Sequence, residues 1–208
     1  MAEADDVYLT VAGSASASFT IQGSELIGHV APAESVDAAE AFVERVNGEY
    51  DDATHNVPAY RVRAGDSTLG SGMTREYSSD DGEPSGSAGK PALNVLQGEN
   101  LENAVCVATR YYGGTNLGTG GLARAYGRAT KEAIGAAGTI EQRPHERAQV
   151  TVGYEDSGTV RAVLESNGIE FEATYEERVT FATRVPASDA VPLYDRLRSA
   201  TSGRARID

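Results

Sequence analysis

The chain has 208 residues, enough for one large domain or two small ones, and 31 acidic against 18 basic residues leave a formal net charge of −13. Its single cysteine, Cys106, excludes an intrachain disulfide. No run approaches the roughly 20 apolar residues that span a bilayer, and the start Met1–Asp6 lacks the basic, then apolar, pattern of a signal peptide, so a cytoplasmic protein is expected.

Only two of the basic residues are lysines, Lys90 and Lys131, beside sixteen arginines. With many Ala, Gly, Asp and Glu residues, this bias reads as salt adaptation, an acidic surface that stays hydrated in concentrated salt.

In chain order, residues 7–11 and 15–22 are strand-like, and 25–30 continue that sheet. Ser35 is placed as the N-cap of a helix to about Asn47, with Ala39, Phe42, Val43 and Val46 on its buried stripe and Gly48 as its stop. A strand follows over about 57–62, introduced by Ala53-Thr-His55 and leading through Ala59-Tyr60. Residues 64–74, rich in Gly and Ser, read as an exposed loop. Asp80, Asp81 and Glu83 then crowd a turn, and Gly86 to Gly89 form a glycine-rich loop. Pro91 fits the first turn of a helix running to about Leu96.

Residues 104–109 form a buried strand, Gly113 to Gly121 a second glycine-rich loop, and 122–134 a helix. Between Arg110 and Lys131 stand four basic residues (Arg110, Arg124, Arg128, Lys131) and no acidic one. Arg124 and Arg128, four apart, share a helix face. Two loops that open helices with free backbone N–H groups, one followed by a basic stripe, describe an anion site.

Past the Gly135–Gly138 break, residues 139–147 read as a linker or an edge strand of the first domain. The remainder parses as strand 148–154, helix 157–166 ended by Gly168, strands 169–176 and 178–185, helix 188–199 and strand 204–208. That βαββαβ order is the ferredoxin-like arrangement. The fold class expected is α+β, with domains at 1–140 and 145–208.

Three motifs occur together: Ala53-Thr-His55 leading to Ala59-Tyr60; Asp80-Asp-Gly-Glu-Pro-Ser-Gly-Ser-Ala-Gly89; and Arg110-Tyr-Tyr-Gly-Gly-Thr-Asn-Leu-Gly-Thr-Gly-Gly-Leu-Ala-Arg124-Ala-Tyr126. In that order they resemble the IMPACT/YigZ family. The chain departs from that pattern at Asn116 (Lys in the family), Ser87 (Thr) and Tyr112 (Phe), and its early segment reads Ser24-Glu25-Leu26, without the family's basic residue. The resemblance implies a first domain similar to ribosomal protein S5 domain 2, an α/β sandwich, and a second similar to a ferredoxin-like domain of an elongation factor. It also implies a translation-linked regulator, since eukaryotic members act through a protein partner that controls an initiation-factor kinase.

On this reading the protein is non-enzymatic and binds RNA or the ribosome. Its anion-binding residues are Arg110, Tyr111, Gly113, Gly114, Arg124, Arg128, Lys131, Gly86, Ser87, Gly89 and Lys90. The alternatives are an adaptor whose same patch meets a translation-related protein, and an enzyme on a small phosphorylated substrate using His55, Asp80, Asp81 and Glu83. Another arrangement in which the basic residues pair with Asp80, Asp81 and Glu83 is equally open. Gly118-Thr-Gly-Gly-Leu-Ala123 matches a dinucleotide fingerprint only formally, and no Walker A sequence is present. Cys106, between Val105 and Val107, reads as core. No metal and no cofactor are expected, because an acidic turn alone lacks ligand spacing.

Overall fold

A computed structural model describes residues 7–63 and 74–208. The glycine- and serine-rich stretch expected as a loop over 64–74 therefore falls, except for Thr74, outside the described residues. The protein is α+β and forms two compact units, Tyr8–Gln142 and one built mainly from Arg143–Asp208.

The first unit holds a five-stranded antiparallel sheet made of β2 (Ala15–Ile21), β3 (Ser24–Pro32), β4 (His55–Arg63), β5 (Thr74–Ser78) and β6 (Ala104–Tyr111), in the order β2-β3-β6-β4-β5. The central strand β6 is buried on both faces, and its period of two divides its side chains between two cores. Val105 and Val107 join Tyr60 and Val62 beneath α1 (Val36–Glu49), which contributes Ala39, Phe42 and Val46. Ala104, Cys106 and Ala108 face the other way, towards α2 (Gly89–Gly98) and α3 (Gly118–Ala137). Beside this sheet, β1 (Tyr8–Val11) pairs antiparallel with β7 (Thr139–Gln142), so the 139–147 segment divides: 139–142 form a strand of the first unit, and 145–147 open a strand of the second.

Local chemistry accounts for some of the helix ends. Ser35 Oγ accepts the Ala38 N–H at 3.1 Å, the expected N-cap. Gly138, at φ +70°, receives the chain at the end of α3, where its N–H donates to the Ile134 carbonyl. Gly48, expected to stop α1, lies inside it instead. The helix runs on to Glu49 because the Asn56 side-chain amide donates to the Tyr50 carbonyl at 2.9 Å and secures the last turn. Similarly, α3 begins at Gly118 rather than Leu122, since Leu117 and Leu122 both pack into the core cluster beneath it.

In the second unit, β8 (His145–Val152), α4 (Tyr154–Ser166), β9 (Phe171–Tyr175), β10 (Val179–Pro186), α5 (Ala187–Ala200) and β11 (Arg206–Ile207) follow the βαββαβ order. The sheet order β11-β8-β10-β9, antiparallel throughout, is the ferredoxin-like one. Val150, Val152, Phe181 and Val185 on the strands meet Val160, Leu164, Leu193 and Leu197 on the helices. Gly168, at φ +68°, ends α4 as expected.

Candidate functional site

The three motifs converge at one end of the five-stranded sheet. His55 opens β4 and stands opposite Arg110 near the end of β6, and both side chains share the face covered by α2 and α3. The turn from Asp80 to Pro84 and the start of α3 close the space above them. The result is a cleft of about 500 Å³, lined by His55, Glu83, Arg110, Tyr112, Asn116 and the first residues of α3 among others.

At the base of the cleft lies a buried charge network. Arg110 Nη1 donates to Glu83 Oε1 at 2.6 Å, and the Tyr126 hydroxyl donates to the same oxygen at 2.7 Å. Burial, followed by this carboxylate, drives the Tyr126 hydroxyl far above its ordinary pKa, so it remains a donor. Arg110 Nη2 also reaches Ser24 Oγ at 3.3 Å, which in turn accepts the Gly113 N–H at 3.2 Å. His55 Nε2 lies 3.8 Å from Glu83 Oε1. Its Nδ1 sits 2.5 Å from the Asp81 carbonyl oxygen. A carbonyl only accepts, so the proton is on Nδ1, and in the neutral ring Nε2 carries the lone pair.

The three acidic residues of the turn have separate tasks. The Asp80 carboxylate accepts the N–H groups of Gly86 (2.7 Å), Gly89 (2.8 Å) and Ala88 (3.0 Å). Desolvation pushes its pKa up, but the three N–H bonds together outweigh this and leave it below the ordinary carboxylate value. Asp81 Oδ2 accepts the Asn56 N–H at 2.7 Å, and Glu83 holds Arg110. The expectation that the Gly86–Gly89 loop offers free N–H groups is thus corrected: the protein supplies its own anion there. Ser87, buried, spends its hydroxyl on the Pro84 carbonyl at 2.6 Å, while Lys90 is exposed at the start of α2.

The basic stripe is divided in the same way. Arg128 pairs with Glu132 at 2.7 Å and lies 3.9 Å from the Phe19 ring centroid, and Lys131 reaches Glu99 at 3.4 Å. Arg124 is exposed and has no hydrogen bond or ion pair among the described residues. A Cβ built on Gly120 would lie 3.6 Å from Arg124 Nη1, so this guanidinium folds back over the first turn of α3. That turn carries no acidic residue, and no side chain caps it. A cation at the positive end of a helix dipole is unfavourable unless an anion joins it.

Tyr111, one residue from the network, turns away and donates to Asp52 at 2.6 Å, a bond that pushes its hydroxyl up to about 12. Gly113 packs against the β2–β3 turn, where a Cβ would fall on the backbone of Gly23, and Gly114 adopts φ +82°. Asp80 as the loop's internal anion and Ser24 as a bridge were not found from the sequence. A carboxylate six to nine residues ahead of a glycine loop, and a serine on a distant strand, give no periodic signal.

These elements and this cleft define an α+β protein whose motif residues face one ligand-sized hollow in its first unit. The Impact N-terminal domain family model matches residues 22–134, and a domain of unknown function, DUF1949, matches residues 150–204. The chain is similar to IMPACT family member YvyE of Bacillus subtilis, 31% identical over 201 residues that cover 96% of this chain and 89% of that protein. It is likewise similar to IMPACT family member YigZ of Escherichia coli, 33% identical over 188 residues, 90% of each. A crystal structure of a protein described as hypothetical superposes with a TM-score of 0.70 at 31% identity, covering 97% of this chain and 96% of that one. The chain belongs to the IMPACT family.

No helix among the described residues is long and apolar enough to cross a membrane.

Proposed function

We propose that this protein is a translation-linked regulatory member of the IMPACT family, non-enzymatic, that binds RNA or the ribosome through the cleft of its first unit. Family membership supports the regulatory part of this reading. The observation that carries the binding part is Arg124, an exposed guanidinium laid over the uncapped first turn of α3 without a carboxylate partner among the described residues, in a chain of net charge −13. Phosphate oxygens are the ligands that such a position takes.

The test is binding of labelled single-stranded RNA, folded RNA and duplex DNA over a salt series. Wild type is compared with Arg124→Ala and with Arg124→Ala/Arg128→Ala. Arg124→Ala is expected to weaken binding across sequences and to lower the salt slope by about 1. The second substitution adds less, because Arg128 already holds Glu132. The series extends to molar salt, since the acidic surface fits a protein working where phosphate contacts are strongly screened. Absence of binding at every salt concentration where the protein is folded overturns the RNA reading and directs attention to a translation-related protein partner.

A further inference from the structure

We infer that the cleft takes one nucleotide unit with an unpaired base, its base stacked on Tyr112. This rests on the reading of the cleft as a phosphate-binding, nucleic-acid site and specifies what enters it. Tyr112 and Asn116, on the lining of the hollow, are each oriented by their own contacts. Tyr112 is 46% exposed, and the Arg110 guanidinium backs its ring at 5.3 Å from the centroid. A ring braced from one side by a buried cation offers its open face as a stacking plate.

The Tyr112 hydroxyl donates to Asn116 Oδ1 at 3.2 Å, so the Asn116 amide nitrogen is left as a donor. His55, whose Nδ1 donates to the Asp81 carbonyl, lines the same hollow, with its Nε2 3.8 Å from Glu83 Oε1. An amide donor and an imidazole edge beside an aromatic plate give polar partners to the edge of a heterocyclic base. Gly118 and Thr119, which open α3, line the same hollow, and their end of the helix is where the phosphate of the same unit would sit.

Two further observations point the same way. Arg110 lines the cleft at 5% exposure, and its Nε is one of two buried side-chain nitrogens without a hydrogen-bond partner among the described residues. A donor without an acceptor beside the cleft is costly unless a ligand or water completes it. The volume, about 500 Å³, falls within the roughly 300–1,000 Å³ usual for small-ligand pockets. Base pairs of a duplex are stacked on each other and present no free face, so the arrangement selects unpaired bases.

The nucleotide can be free or part of a single strand, and calorimetric titration separates the two. The probes are adenosine monophosphate, adenosine, inorganic phosphate, a short single-stranded RNA and the same RNA annealed to its complement. The proteins are wild type, Tyr112→Ala and Tyr112→Phe, the last keeping the ring. The expected result is binding of the single strand and not the duplex, weakened about tenfold by Tyr112→Ala and little changed by Tyr112→Phe. Adenosine monophosphate that binds alone and competes with the strand identifies a free nucleotide as sufficient; a strand that binds where the monophosphate does not identifies RNA as the source.

RNA binding that is lost in Arg124→Ala but indifferent to Tyr112→Ala overturns the stacked-nucleotide site and leaves the proposed function standing. Equal affinity for duplex and single strand does the same. No binding of any of the five probes by wild type overturns both.

Discussion

Arg110 and Glu83 form an ion pair of 2.6 Å in which neither side chain is more than 6% exposed. They come from the central strand and from the turn that opens α2, so this contact ties the two sides of the cleft together. Replacing Glu83 by Gln leaves the Arg110 charge buried with no counter-charge. Unfolding in urea is expected to show a loss of about 3–5 kcal/mol. Tyr126→Phe, which removes one donor from the same oxygen, is expected to cost about 1 kcal/mol. A Glu83→Gln variant within 0.5 kcal/mol of wild type, on the order of measurement error, would show that the pair is not a structural pivot.

Asp80 gives the protein a specific acid sensitivity. Its folded pKa lies below its unfolded one, so its contribution is complete at neutral pH and is lost as the pH falls from the ordinary value of 3.8 through the lower folded value. Asp80→Asn removes a charged acceptor from three N–H groups and is expected to cost about 2 kcal/mol at pH 7. The gap between variant and wild type should narrow as the pH is lowered towards 2 in denaturation profiles. Parallel profiles across that range would refute the assignment.

Two glycines permit backbone contacts that no side chain allows. A Cβ on Gly28 would fall on the Ala129 carbonyl of α3, and one on Gly113 would fall on the backbone of the β2–β3 turn. Either Gly→Ala change is expected to destabilise by about 3 kcal/mol, near the upper end for overpacking, since backbone must move to make room. Thermal unfolding of Gly28→Ala and Gly113→Ala against Gly98→Ala, where a Cβ would meet nothing, measures this.

Cys106 should be chemically silent in the folded protein. It is 1% exposed, and burial pushes its thiol up to about 12. Treatment with a thiol reagent at pH 8 is expected to give no modification in native buffer and one equivalent in denaturant. Rapid native labelling would mean that the sheet opens at β6.

Much of the fold was legible because it is encoded over a few residues. The apolar run along 104–109, the Ser35 cap, and the glycines at 138 and 168 each act within one turn or one strand. The βαββαβ order of the second unit followed from such elements alone. The edge strand β5 was missed, because Thr74–Ser78 has no apolar period and is held by its neighbour: Arg61 pairs with Glu76 at 2.8 Å, and Tyr60 stacks on Tyr77. The start of α3 was missed because its glycine-rich first turn favours a loop by propensity, whereas Leu117 and Leu122 anchor it to the core.

For the site, the sequence by itself determined that His55, the Asp80–Gly89 loop and the Arg110–Lys131 segment belong to one family pattern, and that the latter is locally basic. Only the tertiary structure decided which charges remain available. Arg110 is spent on Glu83, 27 residues away; Asp80 occupies the loop N–H groups; Arg128 and Lys131 hold Glu132 and Glu99; and Arg124 is left exposed over the first turn of α3. The physical reason is that ion pairing depends on separation in space and on the water removed around both partners, and neither quantity is a property of position along the chain.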